Sequence, residues 1–515
     1  MKKVSQIKAG SFLSYIQMAL NVIIQLVYTP IMIRLLGQSE YGLYNTVAST
    51  IALLSILNLG FNSGYIRFYA RYKKENDQKS INRLNGLFLE IFLIIGLIGF
   101  FCGIFLVHHL DIVFDKGLTS SEYETAHILM LLLSINLAIS FPMSVFANII
   151  SAHEKFIYLK IVGMLKTVLS PILSIPLLLL GYGAIGIVAI TVVVAFITDA
   201  LYLYYVLGVM HEKFEIRGIE KQIFKDLFIF SSFIALNSLI DQINWNIDKI
   251  LLGRFKGTAE VAIYSTGYTL YQCYMVFSTS ISSVFTPRIH RIVNATADNT
   301  DQQRKQLSEL FIKVGRIQFL ILGLVSTGIL FFGQFFITNI WVGTGYENSY
   351  YVALLLIFPA SIALIQNLGI EIQRAQNKHK FRSIVYSGMA LVNLLLSIYL
   401  CQLYGSIGSA VGTAISLVLA NGIVMNIYYD RHCNIDVKAF WKNITSVLKG
   451  LMIPILFGVI IKRFITINNV YAFIALVFAY SLVYALSIWF LSINEDEKQL
   501  ILSIFAKVKG IVLKR

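Results

Sequence analysis

The first long apolar segment of the chain carries polar side chains at regular intervals. Ser14, Gln17, Asn21, Gln25 and Tyr28 follow one another at steps of three or four residues. On an α-helix this spacing places all five side chains on one face. Their amide and hydroxyl groups can hydrogen-bond either to neighbouring helices or to a polar ligand. This face is therefore predicted to point into the interior of the protein.

A later apolar segment repeats this pattern and includes two carboxylates. The second series consists of Asn237, Asp241, Asn244 and Asp248, and it matches the first at an offset of 216 residues. A carboxylate buried in an apolar helix is costly and usually serves a function. Asp241 is therefore a candidate functional residue, whereas the neutral amides fit both a ligand site and structural hydrogen bonds.

Other charged residues also lie within apolar segments. Lys166 and Asp199 are deep enough that their side chains cannot easily extend to an aqueous interface. We predict that they line a polar cavity or form an ion pair. Arg316 lies at a similar depth, while Arg34 is close to the end of the first segment and can extend either to the interface or towards a cavity.

The composition shows which kind of protein positions these residues. Of the 515 residues, 57% are hydrophobic and 13% are charged, and the mean hydropathy is +0.73. This excludes a soluble globular protein, because no core could bury so many apolar residues. The net charge of +15 is explained by basic loops at the cytoplasmic membrane surface, without nucleic acid as a partner. The four cysteines have neither disulfide nor zinc-site spacing.

Windows of about 20 apolar residues predict an all-α polytopic membrane protein with about fourteen transmembrane helices. They lie near 11–35, 42–66, 84–107, 125–150, 157–180, 184–208, 223–248, 260–286, 312–335, 350–372, 383–403, 407–429, 444–461 and 470–492. One set of alternate loops holds 32 lysines and arginines and the opposite set holds 7. Both termini are therefore predicted to be cytoplasmic.

Short motifs recur in the same order in both halves of the chain. Leu36-Gly37 and residues 40–44 match Leu252-Gly253 and residues 260–264 if the second loop has four extra residues. Phe141-Pro142 recurs as Phe358-Pro359, and residues 182–186 recur as 404–408. Six spans in each repeat predict two lobes related by an axis along the membrane normal, which enclose a central cavity.

The predicted domains follow from this repeat. They are an N-lobe over 1–222, a C-lobe over 223–440, and an appended helix pair with a cytoplasmic amphipathic tail over 441–515. The loops are too short for an enzyme domain, and they contain neither a Walker A nor a GxGxxG motif. We therefore expect no enzyme activity, no catalytic residues, no resident cofactor and no metal site.

The motif from Arg34 to Tyr44, R-x-L-G-x-x-x-Y-G-x-Y, resembles the bacterial polysaccharide flippases, together with the six-helix repeats and the basic segment from Arg67 to Arg83. These flippases are the polysaccharide-biosynthesis branch of the multidrug/oligosaccharidyl-lipid/polysaccharide exporter superfamily. The segment from Asn244 to Gly253 is also similar to that branch. The resemblance covers the whole chain.

The resemblance implies a flippase in the bacterial cytoplasmic membrane. Such a protein moves an undecaprenyl-diphosphate-linked oligosaccharide from the inner to the outer leaflet by alternating access, and other polysaccharide assembly proteins are expected partners. Amides suit the glycan, and basic side chains suit the diphosphate. The residues expected in the cavity are Arg34, Lys166, Arg316, Asn21, Gln25, Asn237 and Asn244. Coupling to H⁺ or Na⁺ would use Asp199 or Asp241.

Three other functions fit parts of the pattern. Fourteen spans are also typical of lipid II flippases, which makes lipid II a second candidate substrate. A cation-coupled multidrug extruder would share the repeat, although the basic residues favour an anion. A polytopic glycosyltransferase or polymerase fits less well, because such enzymes carry catalytic acids in a sizeable external loop and the loop near 108–124 is short.

Overall fold

A computed structural model describes residues 6–58, 60–114, 118–216, 221–499 and 502. Every regular element among them is a helix. Short 3₁₀ turns follow α1 and α3, and π-helical turns continue α6, α9 and α12. The helices are α1 (Gln6–Leu53), α2 (Phe61–Lys74), α3 (Gln78–His108), α4 (Ser120–Ala152), α5 (Phe156–Leu179), α6 (Gly183–Tyr204), α7 (Lys221–Phe255), α8 (Thr258–Ala295), α9 (Thr300–Phe335), α10 (Glu347–Ile365), α11 (Leu368–Ala375), α12 (His379–Leu417), α13 (Met425–His432), α14 (Val437–Phe464) and α15 (Val470–Leu491).

Helix α1 consists of two spans joined at Gly37. A straight helix of its 48 residues would be about 72 Å long, far more than the roughly 30 Å hydrocarbon core of a bilayer. Gly37 has non-helical backbone angles, φ 77° and ψ 173°. Tyr28 and Tyr44 interact electrostatically although sixteen positions separate them. The chain therefore folds back on itself at Gly37.

Helix α12 reverses in the same way at Gly405, where φ is 59° and ψ is −135°. The Oγ1 atom of Thr413 lies 3.3 Å from Oδ1 of Asn393, twenty positions earlier. Such a contact is impossible within one straight helix, because that separation corresponds to about 30 Å of helix. This element is therefore also a pair of spans.

These two reversals account for the number of spans. Among the described residues, ten helical segments are long and apolar enough to cross a membrane. Two of them, Ala9–Asn58 and Lys380–His432, each contain a reversal. The ten segments therefore form twelve spans, and the more polar helices α7 and α8, with 35 and 38 residues, bring the number to fourteen. The predicted all-α fold with about fourteen spans is confirmed.

The chain forms two compact units. Unit 1 comprises Met1–Thr269 and Tyr386–Thr413, and unit 2 comprises Leu270–Val385 and Ala414–Arg515. These bounds differ from the lobes inferred from the sequence repeat, so the lobe boundaries at 222/223 and 440/441 stay a prediction. The predicted amphipathic tail lies almost entirely outside the described residues.

Each unit has its own apolar core. In unit 1, aromatic side chains of α2 and α3, including Tyr65, Phe88 and Phe92, pack against α4. In unit 2, Phe332 of α9 packs against Tyr480 and Tyr484 of α15. The last two spans, α14 and α15, both contact α9, so the appended helix pair is an integral part of unit 2.

Matched turns in unit 1 show how the two repeats correspond. Gly37 and Gly257 both adopt left-handed backbone conformations, with φ of 77° and 93°. They are 220 residues apart, and the same offset aligns Arg34 with Arg254 without a gap. The structure therefore pairs Gly37 with Gly257 rather than with Gly253, so the four extra residues of the second repeat precede Arg254 rather than follow Gly253.

A glutamate caps a helix in the same way in each repeat. The Glu40 carboxylate accepts a hydrogen bond from the backbone N–H of Ala184 at 2.7 Å, and the Glu260 carboxylate accepts one from the N–H of Ser406, also at 2.7 Å. Both N–H groups belong to the first turn of a helix, where backbone donors lack partners and negative charge is favourable. Each glutamate thus fastens the turn after the first span of its repeat to the start of the sixth.

The glycines before these N–H groups have no room for a side chain. We expect Gly183→Ala and Gly405→Ala to lower the unfolding temperature of the detergent-solubilised protein. Both glycines have a left-handed φ, 54° and 59°, which costs an L-residue about 1–2 kcal/mol. A Cβ would also lie 2.2 Å from Oε1 of Glu40 or 2.7 Å from Oε2 of Glu260.

The control is Gly388→Ala, since a Cβ at this helical position meets open space. An unfolding temperature that falls as far for Gly388→Ala as for the two turn variants would contradict the strain argument.

Candidate functional site

A buried carboxylate in unit 1 is surrounded by hydroxyl groups from neighbouring spans. Asp248 of α7 is 2% exposed. Its Oδ1 accepts a hydrogen bond from Ser409 Oγ at 2.7 Å. Its Oδ2 accepts from Tyr264 OH at 2.7 Å and from Thr413 Oγ1 at 2.8 Å. The carboxylate therefore joins α7 to α8 and to the part of α12 that follows Gly405.

One hydrogen in this cluster has two acceptors. The Thr413 hydroxyl lies 2.8 Å from Asp248 Oδ2 and 3.3 Å from Oδ1 of the buried Asn393, but it carries a single proton. Carboxylate, hydroxyl and amide oxygens are the ligands that hard cations prefer. We name Asp248, Tyr264, Asn393, Ser409 and Thr413 the Asp248 cluster, and its donor set fits a proton or an alkali cation.

The adjacent Lys249 is the cation that interacts electrostatically with Asp248. Its ammonium lies 4.7 Å from the centroid of the Tyr268 ring, in a cation–π contact. The carboxylate itself is hydrogen-bonded by neutral hydroxyls. In the sequence, Asp248 belongs to the polar stripe of α7, but Asp241 is the carboxylate predicted to be functional. Only its position in that stripe points to Asp248 in the sequence. The hydroxyl groups that bind it belong to residues up to 165 positions away.

Lys166 of α5 and Asp199 of α6 are close enough to interact electrostatically. Lys166 is exposed and Asp199 is partly exposed. Helix α5 packs against α1, and a Cβ at Gly163 would lie 2.9 Å from the Gln17 amide nitrogen. The structure thus brings this charged pair next to the polar face of the first span, as an accessible polar surface.

The remaining candidates in unit 1 differ in how exposed their side chains are. Asn21 is exposed, and Gln25 and Asn244 are partly exposed. Arg34 is exposed shortly before the Gly37 turn, and it has interactions within the protein. The side chains of Asn237 and Asp241 lie outside the described residues.

Arg316 in unit 2 is fully engaged with the protein. Its Nε and one Nη donate to the two carboxylate oxygens of Glu497, at 2.7 and 2.9 Å. The other three N–H groups donate to Asn443 O, Ser446 Oγ and Ser492 O at 2.8–3.0 Å. A guanidinium has five N–H donors, so a substrate phosphate could bind Arg316 only if this network opened. No sequence pattern points to Glu497 as the partner, because 181 residues separate it from Arg316.

Three helix ends of unit 1 meet at Glu122. This residue forms a capping box with Thr119 at the start of α4. Its carboxylate also accepts hydrogen bonds from Ser39 Oγ and, at 3.2 Å, from Thr258 Oγ1. The backbones of α1 and α8 also approach each other closely here, since a Cβ at Gly42 would lie 1.8 Å from the Thr258 carbonyl oxygen. These contacts, which we call the Glu122 seal, close one end of unit 1.

Comparisons with known proteins agree with this architecture. A family model described as polysaccharide biosynthesis protein matches residues 7–293, more than half of the chain. The chain belongs to this family. The matched region ends near the end of α8 and includes every residue of the Glu122 seal.

Two relatives of this chain extend the similarity. A Shigella flexneri protein described as a candidate O-antigen transporter is 22% identical over 410 residues, which cover 78% of this chain and 92% of the relative. The uncharacterised membrane protein EpsK of Bacillus subtilis (strain 168) is 22% identical over 501 residues, which cover 96% of this chain and 97% of the relative.

The solved structure of the lipid II flippase MurJ, in an inward closed conformation, has a similar fold. Its TM-score is 0.70 at 15% identity, and the match covers 93% of this chain and 97% of that chain. At this identity the likeness shows the fold alone. The family match confirms the predicted membership of a polysaccharide-biosynthesis family, and the likeness confirms the predicted fold.

The contribution of the Arg316–Glu497 ion pair to the stability of unit 2 can be tested directly. We expect Glu497→Gln to destabilise the protein by about 3–5 kcal/mol, because it leaves a buried guanidinium without its counter-charge. Glu495→Gln is the matched control, since Glu495 pairs with Lys498 but is 81% exposed. Unfolding temperatures of the two purified variants would be compared. Equal stability of both variants would contradict the structural role of this ion pair.

Proposed function

We propose that this protein is a flippase for an undecaprenyl-diphosphate-linked oligosaccharide. The glycolipid would move from the inner to the outer leaflet of a bacterial cytoplasmic membrane, in which both termini of the chain are cytoplasmic. The observation that carries the proposal is the accessible polar surface of unit 1, where Lys166 lies on the helix that packs against the polar face of α1. The family and the relative described as a candidate O-antigen transporter support the substrate class.

The chemistry of this surface matches the headgroup. The Lys166 ammonium can bind a phosphate oxygen by a charge-assisted hydrogen bond. The amides of Asn21 and Gln25, on the polar face of α1, can both donate to and accept from sugar hydroxyls, and we propose that Asn244 of α7 adds a further amide. The polyprenyl chain would remain in lipid, so that the protein binds only the polar part of the substrate. Nothing in this process requires a bond to be made or broken, and we propose no enzyme activity.

The Glu122 seal supports alternating access. The bias of lysine and arginine predicts that the Gly37 and Gly257 turns lie at the outer face. In that orientation the contacts of Glu122 with Ser39 and Thr258 close the outer end of unit 1. Release of substrate to the outer leaflet would require these hydrogen bonds to break. The bonds join side chains at helix ends, so they can separate without loss of helical structure.

We further propose that the Asp248 cluster couples transport to an ion. Protonation of Asp248, or binding of Na⁺ among its oxygen neighbours, would remove the need for three hydroxyls to donate to one carboxylate. Such an event would change how α7, α8 and α12 are joined. An ion can shift a conformational equilibrium only by its differential affinity for the two states. Asp199 is the alternative, with Lys166 as its counter-charge.

Lipid II is the second candidate substrate. It is supported by the fourteen spans and by the likeness of fold to the lipid II flippase MurJ. Lipid II is also a polyprenyl-diphosphate glycan, so the same polar surface would serve both substrates. Only a direct comparison of the two glycolipids distinguishes them.

Transbilayer movement in proteoliposomes tests the proposal. We expect the protein to move a fluorescent polyprenyl-diphosphate oligosaccharide, and Lys166→Gln to slow this movement by roughly tenfold or more because a charge-assisted contact with phosphate is lost. Lys160→Gln, on the same helix, is the control and should leave the rate unchanged. Faster movement of lipid II would favour the second substrate. Movement of a cationic dye without either glycolipid would reject the flippase and indicate a drug extruder.

The coupling site is tested by the ion dependence of the same rate. We expect movement to respond to an imposed Na⁺ or H⁺ gradient, and Asp248→Asn to abolish the response because the titratable carboxylate is gone. Asp199→Asn should retain it. Thr413→Val, which removes one hydroxyl and keeps the carboxylate, should weaken it. If Asp248→Asn kept the full response while Asp199→Asn lost it, the coupling site would be at Asp199.

A further inference from the structure

Unit 2 contains a cavity of about 960 Å³ at the meeting point of α8, α9, the start of α14 and the segment after α15. It lies at the end of unit 2 where α8 finishes and α9 begins, which the charge bias assigns to the cytoplasmic face. Its volume is within the range of sites for small molecules and cofactors. All of its lining residues belong to unit 2.

Cations from two helices line this cavity. Arg288 and Arg291 come from α8, and Lys313 comes from α9. Among the described residues, none of the three forms an ion pair or a side-chain hydrogen bond, so each retains its donors for a ligand. Arg316 also lines the cavity but is neutralised by Glu497, and this pair therefore fixes the cavity wall.

The rest of the lining adds polar groups and an apolar edge. The amides of Gln306, Asn443 and Asn494 lie around the cations and can bind hydroxyl or phosphate oxygens. Val284 is 60% exposed and lies one helical turn before Arg288, on the side nearer the membrane interior. On α8 the apolar Val284 precedes the two arginines, and further apolar surface lies among the cations, from Pro287, Ile292, Leu310 and Ile312.

We propose that this cavity, which we call the Arg288 pocket, binds the phosphate-bearing headgroup of a membrane lipid. Basic pockets between transmembrane helices on the cytoplasmic side suit anionic headgroups, and arginine provides planar, bidentate recognition of phosphate. The apolar edge at Val284 admits the first part of the lipid chain. Glu309 and Asp496 also line the pocket and limit its excess of positive charge, which favours one headgroup over a polyanion.

Two membrane components share this chemistry. The headgroup is either the diphosphate of a polyprenyl glycolipid, which would make the pocket a cytoplasmic loading site for the proposed substrate, or that of a bulk anionic phospholipid. Farnesyl diphosphate and short-chain phosphatidylglycerol are soluble probes of the two sources. Inorganic pyrophosphate tests the contribution of the apolar edge.

The experiment measures the affinity of these probes for the purified full-length protein in phosphatidylcholine nanodiscs. The triple variant Arg288→Gln/Arg291→Gln/Lys313→Gln should bind its preferred lipid probe roughly 100-fold more weakly, since each basic residue near a headgroup contributes about a fivefold change. The control Lys305→Gln/Lys438→Gln/Lys442→Gln removes equal charge from exposed positions outside the pocket. It should change the affinity by less than about threefold, because exposed charges act weakly at a distance.

Preferred binding of farnesyl diphosphate identifies the glycolipid source, and preferred binding of phosphatidylglycerol identifies the bulk lipid. Equal losses in the two triple variants, or no loss in the pocket variant, would overturn the proposal. Pyrophosphate binding as tight as that of both lipid probes would overturn its lipid part. If the triple variant aggregates, Lys313→Gln alone should still show a loss of about fivefold.

Binding is measured without transport, so the result is independent of the proposed flippase activity. A wild-type protein that bound the probe in this pocket but moved no glycolipid would contradict the proposed function and leave the pocket established.

Discussion

Backbone N–H groups at the start of a helix have no partner within that helix, so another part of the chain or solvent must supply one. The two capping glutamates of unit 1 meet this requirement in matched positions. Glu40 and Glu260 each accept a hydrogen bond from the first turn of the sixth span of their repeat. The left-handed glycines beside these contacts leave room for the carboxylates. The fold of each repeat depends on this contact, because it determines where the first and sixth spans meet.

The pairing of polar donors separates structural groups from candidate ligand-binding groups. Arg316 has a partner for all five of its donors, whereas Arg288, Arg291 and Lys313 form no hydrogen bond or ion pair among the described residues. Asp248 is intermediate, since its carboxylate is satisfied but one hydroxyl has two acceptors. Fully paired groups hold helices together. Groups with unused donors, or with competing acceptors, are the ones that can bind a ligand or respond to an ion.

Much of the fold could be predicted from local sequence patterns. The length and periodicity of apolar segments reflect the thickness of the bilayer and the pitch of a helix, and both act within about 20 residues. The fourteen spans and the polar face of α1 follow from these patterns. The residue-by-residue alignment of the two repeats does not follow from these patterns, because Gly253 and Gly257 are equally plausible partners for Gly37 until the backbone angles are known.

By itself, the sequence determined the all-α membrane fold, the repeat and the polar stripes, since apolar length and helical spacing are properties of contiguous residues. Only the tertiary structure decided which polar groups meet. Asp248 is bonded by Thr413, 165 positions away, and Arg316 by Glu497, 181 positions away. A hydrogen bond requires two atoms within about 3.5 Å. Nothing in either local sequence specifies its distant partner, so these sites exist only once the helices have packed.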